Sequence, residues 1–206
     1  MHYNGAKIDI RGIPLSKRKG EQYRSDYQGM LNKISDSDWV RAFCIHEAGH
    51  VFYGRVLGAT EFTYLGPQLR YSWEKNDLEG HYAAIQPKPY NPNPGLSESD
   101  HIGRMAQMHT AGGVCVSLFT KSYDLGDDGD YTRFKDSCAK LCQQMRGLTI
   151  DTDGLWKAAQ DAVKTDFLSE ENQDELFHEA EIIRKTIFPW ATLPVTQLPS
   201  DTDPQL

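Results

Sequence analysis

The strongest constraint on this chain is the segment His46-Glu47-Ala48-Gly49-His50. If the segment is helical, His46 and His50 lie on one face with Cβ atoms about 5–6 Å apart, so both imidazoles can reach a single zinc ion. Glu47 then lies beside the metal without binding it, where it can take a proton from a water molecule whose pKa zinc lowers to about 7. The His-Glu-x-x-His spacing therefore predicts a zinc site for metal-assisted peptide hydrolysis, with Glu47 as general base.

The residues around the motif predict that its helix is buried. Apolar residues form two stripes along this helix. Those that flank the histidine face are Phe43, Tyr53 and Leu57. Those that form the second stripe are Val40, Cys44, Ala48 and Val51. A helix that is apolar on more than one side belongs in a core, and ionisable groups on it need partners, which a metal supplies. The alternative is a helix with two hydrogen-bonded histidines, a solvated glutamate and no metal.

A catalytic zinc ion takes three protein ligands and leaves one position for water, so a third ligand must come from elsewhere in the chain. Residue type alone leaves several candidates, together with the acids of the fifth predicted helix: His81, His101, His109, Asp124, Asp127, Asp128 and Asp130. Asp130 is favoured because it extends the apolar face formed by Phe134 and Cys138, which would point it inward. The competing interpretation is a first-turn aspartate that satisfies free backbone N–H groups.

Composition narrows the class of protein. The chain has 206 residues, 39% of them hydrophobic, which is enough for one domain with a sizeable core. A net charge of −7 argues against general nucleic-acid binding and against binding to an anionic membrane surface. There is no apolar run of the roughly 20 residues that a membrane span needs, and no signal peptide, so a cytoplasmic location is expected. The four cysteines do not suggest a disulfide framework, and Cys138 and Cys142 are interpreted as core residues.

Periodicity and capping signals predict a mainly helical α+β fold. Five helices are expected, about 39–57, 100–120, 127 or 128–145, from 151–153, and from Ser169 to Pro189. Strands are expected at 60–65, 69–73 and 80–85, as a small β-sheet beside the motif helix. Residues 1–34 are predicted to be an arm with little regular structure, 35–188 the domain, and 189–206 an extended or disordered tail. Gly112 and Gly113 suggest that the second helix crosses the first one closely.

Three segments together resemble the peptidase domain of the FtsH family of zinc proteases. They are the motif at 46–50 followed by a strand, the small-residue stretch 110–115, and the loop-to-helix segment 126–131. In that family an aspartate at the position matching Asp130 is the third zinc ligand. The resemblance, which covers about residues 38–188, implies a helical zinc-peptidase domain with His46, His50 and Asp130 as metal ligands and Glu47 as catalytic residue.

The chain departs from the family pattern in having no Walker A sequence, no ATPase-sized region and no membrane span. It looks like a stand-alone peptidase domain, independent of ATP in itself. Its polypeptide substrates are expected to be flexible or unfolded segments, unless a separate ATPase or adaptor partner presents them. The oligomeric state stays open.

Two other functions are compatible with the sequence. One is a zinc-binding regulatory or protein-binding module with little turnover, and the other is a structural helical module without metal. The same N,N,O ligand set also accommodates iron or another divalent metal.

Overall fold

Five α-helices make up most of the described structure, which is a computed structural model. It describes residues 2–3, 6–9, 36–65, 68–72, 77–81, 84–87, 97–120, 127–145, 147–189 and 191. The helices are α1 (Ser37–Val56), α2 (Glu98–Phe119), α3 (Asp127–Gln144), α4 (Thr152–Asp166) and α5 (Glu170–Ile187). The prediction of a mainly helical fold is confirmed.

Helix α1 carries the motif and is buried along most of its length. Asp36 caps its N-terminus, accepting hydrogen bonds from the backbone N–H groups of Asp38 and Trp39. Asp36 has this role because it immediately precedes the first turn, so its side chain reaches the free N–H groups there. The helix ends as predicted at Gly58, whose φ of 97° is the left-handed conformation that glycine adopts at low cost.

Helix α2 is central to the bundle because it packs against α1, α3 and α4. Ser97 caps its N-terminus, accepting a hydrogen bond from the backbone N–H of Asp100. One end of α2 contributes to a small cluster with α3 and α4, built around Phe134, Cys138 and Ala159. The other end contributes to the main core with α1 and α5. Helix α2 therefore contributes residues to both apolar clusters.

Short strands form two small sheets in the described part of the chain. Strand β3 (Phe62–Leu65) pairs antiparallel with β6 (Ala84–Pro87), and this hairpin packs on the helices, β6 against α1 and β3 against α5. The second sheet has the order β1 (His2–Tyr3), β2 (Ala6–Asp9), β4 (Gln68–Ser72), β5 (Asp77–His81). The predicted strand at 80–85 is in fact divided between β5 and β6.

The N-terminal arm has more regular structure than expected, because β2 pairs in parallel with β4. Such pairing satisfies backbone groups that an isolated polar segment would leave to water. The rest of the predicted arm, residues 88–96 and nearly all of the predicted tail lie outside the described residues. None of the helices in the described ranges is both long and apolar enough to cross a membrane.

Candidate metal centre

Two helices bring three possible ligand atoms to one point. His46 and His50 project from the middle of α1, and Asp130 projects from the first turn of α3. The Nε2 atoms of the two histidines are 3.0 Å apart. Asp130 Oδ2 lies 3.2 Å from His46 Nε2 and 3.3 Å from His50 Nε2. The inward orientation suggested for Asp130 is therefore the one that the structure has, and the side chain is only 6% exposed.

The spacing of these atoms fits a tetrahedral metal ion. With bonds of about 2.0–2.1 Å, ligand atoms on tetrahedral zinc lie about 3.3–3.4 Å from one another. The three observed separations of 3.0, 3.2 and 3.3 Å are close to that value. Within the described ranges, no group makes a well-aligned hydrogen bond to the buried Asp130 Oδ2. A buried carboxylate oxygen without a donor is costly, and a cation shared with the two imidazoles would satisfy it.

A backbone carbonyl fixes the orientation of His50. The imidazole Nδ1 lies 2.7 Å from the carbonyl oxygen of Met108 on α2, so Nδ1–H donates to that oxygen. In the neutral ring this leaves the lone pair on Nε2, the atom that faces Asp130. A metal-binding histidine usually donates its other ring N–H to such an acceptor, which sets both tautomer and ring orientation.

Glycines allow the histidine-bearing helix to approach α2. A Cβ atom on Gly112 would lie 2.5 Å from Cε1 and 2.7 Å from Nδ1 of His46, so the imidazole occupies the space that any larger side chain would fill. A Cβ atom on Gly49 would lie 2.8 Å from the carbonyl oxygen of Ala111. The close crossing predicted from the glycines thus exists. Its backbone contact is made by Gly49, while Gly112 makes room for a ring.

A cation orients the third candidate ligand. Arg133, one turn further along α3, places Nη1 3.2 Å from Asp130 Oδ1. The other oxygen, Oδ2, is the one that faces the histidines. One oxygen of the carboxylate therefore contacts the exposed Arg133 guanidinium, and the other contacts the two histidines.

Glu47 is held beside the candidate ligands by its position in the motif and by strand β6. Burial raises the pKa of its carboxyl group, positive charge on His50 and His46 lowers it, and the negative charge of Asp130 raises it. The backbone of Ile85 on β6 also lies close enough to lower the pKa and favour the charged form of the carboxylate. A carboxylate with a raised pKa is a stronger base than an exposed one, which suits a group that accepts a proton from water.

Charge on the three ligand candidates is strongly coupled. Burial by itself would lower the pKa of His50, but the contact with Asp130 and its negative charge raise it to about 9. Burial would raise the pKa of Asp130, whereas its contacts with both imidazoles hold it well below the usual range. The negative charge of Asp130 therefore favours the charged form of His50, and the imidazoles favour the charged form of Asp130.

The remaining ligand candidates are distributed elsewhere. Asp128 is exposed on α3, and acids of α5 pair with arginines: Glu179 with Arg55, and Glu181 with Arg184. His109 is near enough for the charges of His50 and Asp130 to affect its pKa, which burial lowers to about 4. The side chains of His81, Asp124 and Asp127 lie outside the described residues. Among the described residues, the group with metal-binding geometry is His46, His50 and Asp130.

Sequence reasoning missed the groups that support the site. Arg133 could have been found from its position one turn after Asp130, which is a spacing for ion pairs on helices. The carbonyl of Met108 and the backbone of Ile85 have no signature in the sequence, because every residue carries these groups.

Comparison of the chain with models of known protein families, with curated proteins and with solved structures finds no match.

Proposed function

We propose that this protein is a zinc-dependent metallopeptidase that hydrolyses peptide bonds in flexible or unfolded polypeptides. The observation that carries the proposal is the convergence of His46 Nε2, His50 Nε2 and Asp130 Oδ2, with separations of 3.0–3.3 Å, next to the carboxylate of Glu47. Two nitrogens and one carboxylate oxygen form a ligand set found in catalytic zinc sites.

Each residue has a separate role in this proposal. His46, His50 and Asp130 would hold zinc, which when bound supplies Lewis-acid polarisation of the scissile carbonyl and lowers the pKa of water. The Glu47 carboxylate takes the proton from the attacking water and then donates it to the amide nitrogen as the peptide bond breaks. Burial of the site limits competing solvent and strengthens these electrostatic interactions.

The hairpin beside α1 suggests how substrate is held. Strand β6 packs against α1, the helix that carries the motif, and β3 pairs with β6. We therefore propose that an extended segment of substrate runs along β6, because main-chain hydrogen bonds to a strand align a peptide without requiring a particular sequence.

The likeness of three segments to the FtsH family supports the same activity, with a zinc-peptidase fold as the architecture. The FtsH-like assignment, zinc as the metal and a cytoplasmic location are parts of this proposal. A separate ATPase or adaptor that delivers substrate is a further part of it.

The decisive experiment combines metal analysis with digestion of an unfolded protein. The purified protein should contain one equivalent of zinc and should cleave a permanently unfolded substrate without ATP. Glu47→Gln should keep the metal and lose cleavage, since it keeps the size of the side chain but cannot take up a proton. His46→Ala should lose both.

Digestion that persists unchanged in Glu47→Gln would contradict the catalytic role. One equivalent of metal without cleavage of any unfolded substrate would favour a regulatory zinc-binding module instead. A wild-type protein that binds no divalent metal would favour the structural helical module.

A further inference from the structure

Glu179 is a buried carboxylate on α5 that the proposed reaction does not use. Its side chain is only 3% exposed, and its two oxygens contact groups on two other elements. Oε2 accepts a hydrogen bond of 2.5 Å from Nη2 of Arg55 on α1, and Oε1 accepts one of 2.9 Å from the hydroxyl of Tyr64 on β3. One buried charge thus joins α5 and α1 to the β3–β6 hairpin.

The hairpin continues this connection to the candidate site. Tyr64 on β3 is directly opposite Ile85 on β6 in the antiparallel register. Strand β6 packs against α1, and the backbone of Ile85 is close enough to the Glu47 carboxylate to lower its pKa. Tyr64 and Ile85 also both pack against the main core. A continuous series of contacts therefore runs from Glu179 through Tyr64 and Ile85 to Glu47.

We infer that Glu179 is a positioning residue that holds strand β6 against the motif helix, and so fixes both the Glu47 carboxylate and the strand along which substrate would lie. The inference rests on the proposed function, since it assigns Glu179 a role in that site.

The chemistry of the contacts supports positioning rather than simple filling of the core. A buried carboxylate is costly to desolvate, and an apolar side chain could fill the same volume without that cost. A carboxylate instead gives two directional, charge-assisted bonds to two different elements. Those bonds set where a two-stranded hairpin, which has little stability by itself, lies on the helices.

The chain offers a matched control. Tyr53 on α1 donates a hydrogen bond of 2.5 Å to Oδ2 of Asp166 at the end of α4, so it is a second tyrosine–carboxylate pair. This pair joins helix to helix and does not involve the hairpin. Tyr53→Phe and Tyr64→Phe each remove one hydroxyl and keep the ring. Comparison of the two variants therefore distinguishes a general loss of stability from a change in the position of the hairpin.

The experiment compares Tyr64→Phe, Glu179→Gln and Tyr53→Phe in the full chain, with three measurements. Amide hydrogen exchange of residues 62–65 and 84–86 should become about tenfold faster in the first two variants, because each loses a hydrogen bond to a charged group. Zinc content should stay at the wild-type value. The kcat for an unfolded substrate should fall about tenfold, because Glu47 is no longer held in place. Tyr53→Phe should leave the exchange of the hairpin and the kcat unchanged.

Hairpin exchange and kcat at wild-type values in Tyr64→Phe would overturn the inference, as would equal changes in Tyr53→Phe. Should Glu179→Gln not fold, Tyr64→Phe still decides the result, because it leaves the Glu179–Arg55 pair in place. Failure of the proposed function would be seen separately, as a zinc-loaded wild-type protein that cleaves nothing.

Discussion

At the scale of single residues, the candidate site depends on groups that lie just outside the ligand set. Arg133 occupies Oδ1 of Asp130, and the carbonyl of Met108 occupies Nδ1 of His50. Each contact leaves the other polar atom of the side chain, Asp130 Oδ2 or His50 Nε2, facing the point where the three candidate ligand atoms meet. Such outer contacts orient the ligands of a metal site and are part of its affinity.

Arg133→Gln should weaken zinc binding about 10–100-fold, because the Asp130 carboxylate loses the group that orients it. The folded structure should be little affected, since the Arg133 side chain is 75% exposed. Competition with a chromophoric chelator measures the affinity. Lys135→Gln, on the same helix, removes an equal charge without touching Asp130 and is the control. Equal zinc affinity in the two variants would contradict the orienting role.

Gly112→Ala should lower zinc affinity at least about tenfold, because the new methyl group would occupy the position of the His46 ring. Gly103→Ala is the control on the same helix. No described atom lies within 4 Å of a Cβ there, so a small gain in helix stability of up to about 1 kcal/mol is expected. Zinc titration and thermal unfolding of both variants measure the two effects. Unchanged zinc affinity in Gly112→Ala would show that the ring can move without loss.

His109 should make the metal-free protein less stable in mild acid. Its pKa is lowered to about 4 by burial and by the charge of His50, whereas the unfolded chain takes up a proton near pH 6.5. Between these pH values the unfolded state binds more protons, so the free energy of unfolding falls as pH falls from about 6.5 to 4. The loss between pH 7 and 5 should be on the order of 1–2 kcal/mol.

Urea unfolding of the chelator-treated wild type and of His109→Gln at pH 7 and 5 measures this contribution. The variant should lose less stability over that interval than the wild type. Equal losses in both proteins would mean that His109 is protonated in the folded state.

At the scale of elements, the decisive contact is the crossing of α1 and α2. The carbonyl of Ala111 approaches α1 where Gly49 has no side chain, and this approach brings the carbonyl of Met108 to His50. Gly49 is thus required for close packing between α1 and α2, whereas the proposed metal ligands and general base are His46, His50 and Glu47.

Gly49→Ala should destabilise the protein by about 1–3 kcal/mol, because its methyl group meets backbone atoms that cannot rotate away. The two helices must separate, so the His50–Met108 hydrogen bond should weaken as well. Chemical denaturation measures the stability, with Gly103→Ala as the control. An unchanged denaturation midpoint would show that α1 and α2 can separate at little cost.

At the scale of the whole molecule, the described helices and strands contain a candidate site for hydrolysis. We expect cleavage without ATP of a reduced, unfolded protein, and at least about tenfold slower cleavage of the same protein when its native disulfides keep it folded. A folded chain must first open locally before an extended segment can lie along a strand. Equal rates for the two forms, measured by fragment release, would contradict the preference for flexible substrates.

Much of the fold could be predicted from local patterns. The five helices were expected close to their observed bounds because apolar periodicity, the cap at Ser97 and the left-handed Gly58 act within one or two turns of chain. Strand pairing was harder, since β2 meets β4 across a long stretch of sequence and no local pattern specifies that partner.

The sequence by itself determined the relation of His46, Glu47 and His50, because helix geometry fixes what residues one and four positions apart can reach. It also determined that their helix is buried. Only the tertiary structure placed Asp130 beside the two histidines, and only it brought the Met108 carbonyl, the Ile85 backbone and the space at Gly112 to the site. These groups belong to separate elements, and their meeting depends on how α2 crosses α1, which follows from packing of the whole core and not from any short segment.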